Sequence, residues 1–244
     1  MEDDRRRTAA LEEIRQNIAV KGHHIYVVSG APEPRFVYTI GLSEKLGAEL
    51  ILAGAIFYVL EEVVRIVNEI AAKLEPKVAW ETLSCTVDSC GSFFLRKTDA
   101  SWANALMLGA LDFYQATEVP AFQIVPDKDH WTIDVPDMSN PWTTNTAGAW
   151  RCLHEPWTHP VPVKSTAVTN LAALQGERIT EATRWEEDGW EIFAGAGPDV
   201  SSNEMRVVPL GTLLESDESL EAVVHLPIGK GLWRDSTSDW HSWG

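Results

Sequence analysis

The sequence predicts an α+β protein with a mixed, largely antiparallel sheet, covering helices and a smaller C-terminal α+β part. Three observations carry that expectation. Short β-branched and aromatic runs bounded by Gly, Pro or Ser have the length of core strands. Amphipathic stretches with apolar residues three and four apart lie between some of them, without the strict alternation of a βαβ array. A proline-punctuated stretch poor in aliphatic residues, from Pro136 to Pro162, then separates two such patterns.

The first helix is expected over residues 8–20, where Leu11, Ile14 and Ile18 share a face. His23 to Ser29 follows as a strand. Pro32 and Pro34 forbid helix and favour a bend into the strand Phe36 to Leu42. Glu49 to Gly54 is its neighbour, and these strands form a meander. Val59, Leu60, Val63, Val64, Val67, Ile70, Ala71 and Leu74 repeat at helical spacing until Pro76. Lys77 to Val87 and Ser92 to Lys97 read as a hairpin around Asp88-Ser89-Cys90-Gly91. A second helix is expected from Ser101 to Tyr114, a strand from Ala121 to Val125, and one more short strand from Trp131 to Val135. The division falls at residues 1–160 and 161–244. In the second part Arg178 to Trp185 and Trp190 to Ala194 read as strands around Glu186-Glu187-Asp188-Gly189. Leu210 to Leu214 starts a short helix, and Leu220 to Leu226 is a further apolar segment.

Composition narrows the function classes. The chain has 244 residues, 45% of them hydrophobic, enough for a substantial core. Its 36 acidic and 20 basic residues give a formal charge of -16, which repels nucleic acid and anionic membranes and attracts basic partners. Charge is densest at the C-terminal end, where residues 165–244 hold 14 acidic and 5 basic residues. The apolar run from Leu50 to Leu60 is shorter than the roughly 18 residues of a membrane span, and the charged N-terminus does not read as a secretory signal. Cys85, Cys90 and Cys152 are an odd set of thiols, so a cytoplasmic location with reduced cysteines is the expectation.

Several clusters have residue types suited to chemistry. Adjacent residues on a strand point to opposite faces, so His23 and His24 cannot hold one metal together. Cys85, Cys90, Cys152 and His154 supply four soft ligands, but not at the spacings of a zinc knuckle. Asp127, Asp129 and His130 follow a strand, where acid-base groups often sit. Pro126-Asp127-Lys128-Asp129 is equally ordinary turn chemistry. A metal-assisted hydrolase using His23 or His24 with Asp127, Asp129 and His130 is the alternative reading. No metal or cofactor is expected. Eight of the 11 tryptophans fall from Trp142 onward. Trp185 and Trp190 sit in expected strands and read as packing mass. Trp240 and Trp243 lie in a polar tail and either dock on the body or face a partner.

Two resemblances bear on function. Tyr38-Thr39-Ile40-Gly41-Leu42, Glu49-Leu50 and the run Pro120 to Asp129 resemble the bacterial domain-of-unknown-function family 4262 over the first three fifths of the chain. That family often has His-Pro before Glu-Leu, where this chain has Gly47-Ala48. The run Asp188 to Gly195, Arg206 to Leu210, Leu226 to Gly229 and Leu232-Trp233-Arg234 is similar to domain-of-unknown-function family 2185, grouped with immunity proteins of bacterial polymorphic toxin systems. That family's acidic stretch after the Gly-Trp strand is reduced here to Asp199 in Ala194 to Asp199. The resemblance implies a binding protein that neutralises a cognate toxin by occlusion. The charge implies that the toxin is basic, a nuclease being the natural candidate. The expected partner-binding residues are Glu186, Glu187, Asp188, Trp240 and Trp243. Nothing in the sequence specifies an oligomeric state.

Overall fold

The structure is a computed structural model that describes residues 2–76, 78–143, 148–195, 200–235 and 239–243. Among these residues the chain builds two six-stranded sheets, one in each part of the sequence, and shows the α+β class. Lys77 and residues 196–199, on which two of the expectations above fall, lie outside the described residues.

The N-terminal sheet grows from Phe36–Ile40 (β2) and Glu49–Ala53 (β3), which pair antiparallel and are buried at every position. Near-continuous apolar strands of this kind require cover on both faces. Val37, Leu50 and Leu52 face one core with Val63, Ile66, Val67 and Ile70 of the long helix α3 (Leu60–Lys73). Tyr38, Ile40, Ile51 and Ala53 face the other, with Ile14 of the first helix α1 (Glu2–Lys21), Trp102 and Trp150. β1 (His24–Val28) pairs antiparallel with β2. β6 (Ala121–Pro126) lies parallel to β3, and the hairpin β4 (Ser84–Val87) and β5 (Gly91–Lys97) extends the sheet beyond it. The order is β1-β2-β3-β6-β5-β4. No helix among the described residues is long and apolar enough to cross a membrane.

In the N-terminal part three elements differ from the sequence expectation. The helix expected over Ser101 to Tyr114 is two, α4 (Ala100–Leu106) and α5 (Leu108–Tyr114), broken at buried Met107. The break presents the Gly109 amide to the Tyr38 hydroxyl at 3.1 Å, a contact so close that a Cβ on Gly109 would lie 2.6 Å from that oxygen. Strand β4 begins only at Ser84, because Trp80–Thr82 winds into a 3-10 turn that buries Trp80 against Phe122. Trp131 to Val135 joins no ladder. It runs between the sheets, where the Ile133 amide bonds Leu174 O and the Asp134 carboxyl takes bonds from Thr132 Oγ1 (2.6 Å) and Ile56 N (3.2 Å). Burial pushes the Asp134 carboxyl above its ordinary range, against the hydrogen bonds and Arg35.

Gly54 shows how tightly that segment is seated. Its φ is +71°, and a Cβ would stand 2.1 Å from Asp134 O, a backbone atom that cannot step aside. Gly54→Ala is therefore expected to cost about 3 kcal/mol or more, through both the backbone angle and the overlap. A urea midpoint equal to wild type would refute this.

The C-terminal sheet contains β7 (Thr166–Asn170), β8 (Glu181–Arg184), β9 (Gly189–Phe193), β10 (Met205–Pro209), β11 (Lys230–Trp233) and β12 (His241–Trp243). Its order is β10-β7-β9-β8-β11-β12, with only β7 and β9 parallel. One face packs Ala167, Ala182, Trp190, Ile192 and Val208 against α6 (Leu171–Leu174), α7 (Leu210–Leu214) and a 3-10 helix, Glu218–His225, formed by the apolar segment around Leu220. Arg206 joins the two parts, donating to Ile56 O and Phe57 O, and Gln175 Nε2 donates to Asp129 O at 2.9 Å.

Candidate interaction surface

Because side chains alternate along a strand, the residues opposite the C-terminal core are fixed by register. Trp243 pairs with Gly231, Gly231 with Thr183, Thr183 with Glu191, Glu191 with Val168, and Val168 with Val207. The adjacent row carries Trp233, Glu181 and Phe193. Trp185 follows β8 and shares the face of Thr183 and Glu181. Trp185 is 50% exposed, Trp233 46% and Trp243 42%, whereas Trp190, one pleat away on the core side, is 2% exposed. Three half-exposed indoles on one sheet face form an apolar patch of the kind that marks a binding surface. Trp243 is held in place because Gly231 has no side chain: a Cβ there would lie 2.3 Å from the indole.

The acidic turn borders this face. The Glu186 and Glu187 carbonyls accept bonds from Arg184, whose guanidinium covers the Trp190 ring at 4.7 Å on the other side of the sheet. Bonded through their carbonyls, Glu186 and Glu187 leave their side chains exposed beside Trp185. Asp188 is tied to Lys164 at 3.1 Å. Trp240 does not join the patch. Its ring lies under Arg234 at 4.1 Å and its Nε1 donates to Ser219 O at 2.9 Å, so it is docked on the body. The expectation for Trp185 is corrected, since it is not packing mass. The cause is that the strand ends at Arg184 and the indole falls on the open face. Period-two alternation of Glu181, Thr183 and Trp185 against Ala182 and Arg184 was the available signal.

The residues proposed for hydrolysis are not brought together. His23 and His24 lie at the start of β1, at the sheet edge, bonding Asn68 Oδ1 and Asn17 Nδ2 at 3.0 Å each, and burial lowers both imidazoles below the ordinary value. Asp127 lies three strands away at the far end of β6. There it accepts from the Ser92 amide at 2.7 Å and the Asp129 amide at 3.2 Å, and contacts His130 Nδ1 at 2.6 Å. Burial works against ionisation of Asp127, but the bonds from His130 and Ser92 outweigh it and hold the carboxyl below its usual range. His130 stacks on Tyr58 and edges Phe57, and Asp127 with Asp129 forms the turn that the sequence also allowed.

The thiols are likewise dispersed. Burial raises Cys85 and Cys90, and Cys90 Sγ receives Arg65 Nη2 at 2.9 Å. Cys152 is pushed up to about 12 by burial, and His154 stacks on Trp142. No group of His, Cys, Asp and Glu among the described residues could hold a metal ion. A cavity of about 380 Å³ lies between the two parts, lined by Arg151, Cys152, Trp157, His159 and Glu215 among others. Its main charges are spent on each other, with Arg151 Nη1 2.5 Å from Glu215 Oε2.

Fold and surface together define a two-sheet α+β protein whose N-terminal sheet is covered on both faces and whose C-terminal sheet carries an open aromatic one. Residues 17–131 match the family model described as Domain of unknown function (DUF4262). That span runs from the end of α1 through β6 and the Asp127 turn, and it stops short of the C-terminal sheet. No curated protein and no solved structure matches the chain.

Proposed function

We propose that the chain acts by binding, docking a basic protein on the open face of the C-terminal sheet and occluding it, as an immunity protein neutralises its cognate toxin. The observation that carries this reading is the set of three half-exposed tryptophans, Trp185, Trp233 and Trp243, on one face bordered by Glu186 and Glu187. Aromatic anchors supply residence and acidic borders supply attraction, the division of labour found in tight protein interfaces. The resemblance of residues 165–240 to the immunity-associated family 2185 supports the same reading, as does the formal charge of -16. A toxin with a cationic, phosphate-binding surface, such as a nuclease, is the partner whose chemistry fits.

Co-expression with a toxin encoded beside this gene should restore growth, and surface plasmon resonance should show direct binding that weakens with salt. Absence of both protection and binding would overturn the proposal.

A further inference from the structure

We infer that Gly231 is a positioning residue for the partner contact: its missing side chain seats the Trp243 indole across β11 and so aims it at the partner, an inference that rests on the docking face proposed above. β12, which carries Trp243, is exposed at each of its three positions, and none of them joins the C-terminal core. What β12 brings to the sheet is rings. Across its ladder with β11, Trp243 stands opposite Gly231 and His241 opposite Trp233, the rings of that second pair lying 5.0 Å apart. Both β12 rings therefore fall on the face that carries Trp185 and Trp233.

Glycine inside a strand weakens it, because it packs no side chain and loses the most freedom on folding. The backbone does not ask for one here. Gly231 lies outside the left-handed region, so its main chain would accept any residue. The reason for the glycine is overhead: the atoms nearest a Cβ at 231 are Cε2, Cζ2 and Nε1 of Trp243, at 2.3, 2.4 and 2.6 Å. Gly231 is buried on an otherwise open face because that indole covers it. A ring over a strand glycine also pins register, and this would be its whole purpose if the ring were used up in the fold. The Trp243 ring is not used up. It stays half-exposed beside Trp185 and Trp233, and a ring already fixed on a seat loses little freedom when a partner covers it.

A double-mutant cycle on the full chain tests this, read by surface plasmon resonance against the neighbouring gene's product. Gly231→Ala is expected to speed dissociation about tenfold while the melting temperature stays within about 3 °C of wild type. Adding it to Trp243→Ala should change nothing further. The pair should dissociate about 30-fold faster than wild type, as Trp243→Ala does by itself, and not the roughly 300-fold of independent sites, because the glycine acts only through the ring. In the free chain, the indole N–H signal of Trp243 should move in Gly231→Ala while those of Trp190 and Trp240 hold. Independent effects, an unchanged dissociation rate in Gly231→Ala or an unmoved Trp243 signal would each overturn the seat. If the wild type binds and Gly231→Ala binds equally long, the seat falls and the docking face stands; if the wild type does not bind, the docking face falls and takes the seat with it.

Discussion

Glu49→Ala is expected to lower the melting temperature by about 10 °C, the largest stability effect of any single carboxylate in the N-terminal sheet. Glu49 is fully buried at the start of β3. Its Oε1 accepts from the amides of Gly41 (3.0 Å) and Ser43 (2.8 Å) and from the Tyr114 hydroxyl (2.6 Å), and its Oε2 accepts from Thr39 Oγ1 (2.6 Å). Thr39 Oγ1 in turn accepts from the Leu50 amide at 2.9 Å. Removing the carboxylate strands three donors inside the fold, the Ser43 amide and the Thr39 and Tyr114 hydroxyls, while the Gly41 amide keeps the Tyr114 hydroxyl oxygen at 2.7 Å. Each lost partner costs on the order of 1 kcal/mol or more, about 3 kcal/mol together. Glu49→Gln should cost less than half as much. It keeps the Oε1 acceptor but puts an NH₂ group against Thr39, which must then give up its own donation. Differential scanning calorimetry of the two variants separates these outcomes. An Ala variant melting within a degree of wild type would show that the network is dispensable.

Trp243→Ala should raise the dissociation rate from the proposed basic partner by about 30-fold, whereas reversing Glu186 and Glu187 to Lys should slow association by about tenfold at low salt and barely touch dissociation. The two effects separate because the groups meet the partner differently. Trp243 comes from the edge strand β12 and its ring lies over Gly231 of the neighbouring strand, where it is desolvated when covered. Glu186 and Glu187 stand in solvent on a turn, so they act through a long-range field that salt screens over about 10 Å. Trp240→Ala should move neither rate much, since its indole is already spent on Arg234 and Ser219. Surface plasmon resonance at two ionic strengths reads all three. If Trp240 controls dissociation and Trp243 does not, the anchor lies on the body side and the open face is not the interface.

Much of the N-terminal sheet was legible because its strands are locally unambiguous. Phe36 to Ile40 and Glu49 to Ala53 are short, β-branched and bounded by turn residues, and α3 keeps its apolar period over its whole length. The misreadings occurred where tertiary contacts outweighed local pattern. The period through Met107 looks unbroken, but Gly109 is drawn to the Tyr38 hydroxyl, and the helix gives way there. Trp131 to Val135 has a strand's composition, yet its polar groups are answered by Leu174, Ile56 and Trp150 rather than by a neighbouring strand. The candidate site was half legible. The acidic turn and Trp243 stand out in the sequence, but the row linking Trp243 to Glu191 crosses four strands that only the register brings side by side.

The joint made by Arg206 has a consequence for how the two parts can change over time. Arg206 grips the main-chain oxygens of Ile56 and Phe57, and Gln175 that of Asp129. Every amino acid carries that oxygen. Mutational drift at positions 56, 57 and 129 therefore leaves the acceptors in place, so long as the turn keeps its path. At these bonds the requirement falls on the C-terminal part, which must retain one arginine and one glutamine. The side chains of Ile56 and Ile133, packed on the C-terminal core, and the Arg151–Glu215 pair are the two-sided contacts, so an exchanged C-terminal sheet would need matched substitutions there and not at the Arg206 and Gln175 bonds.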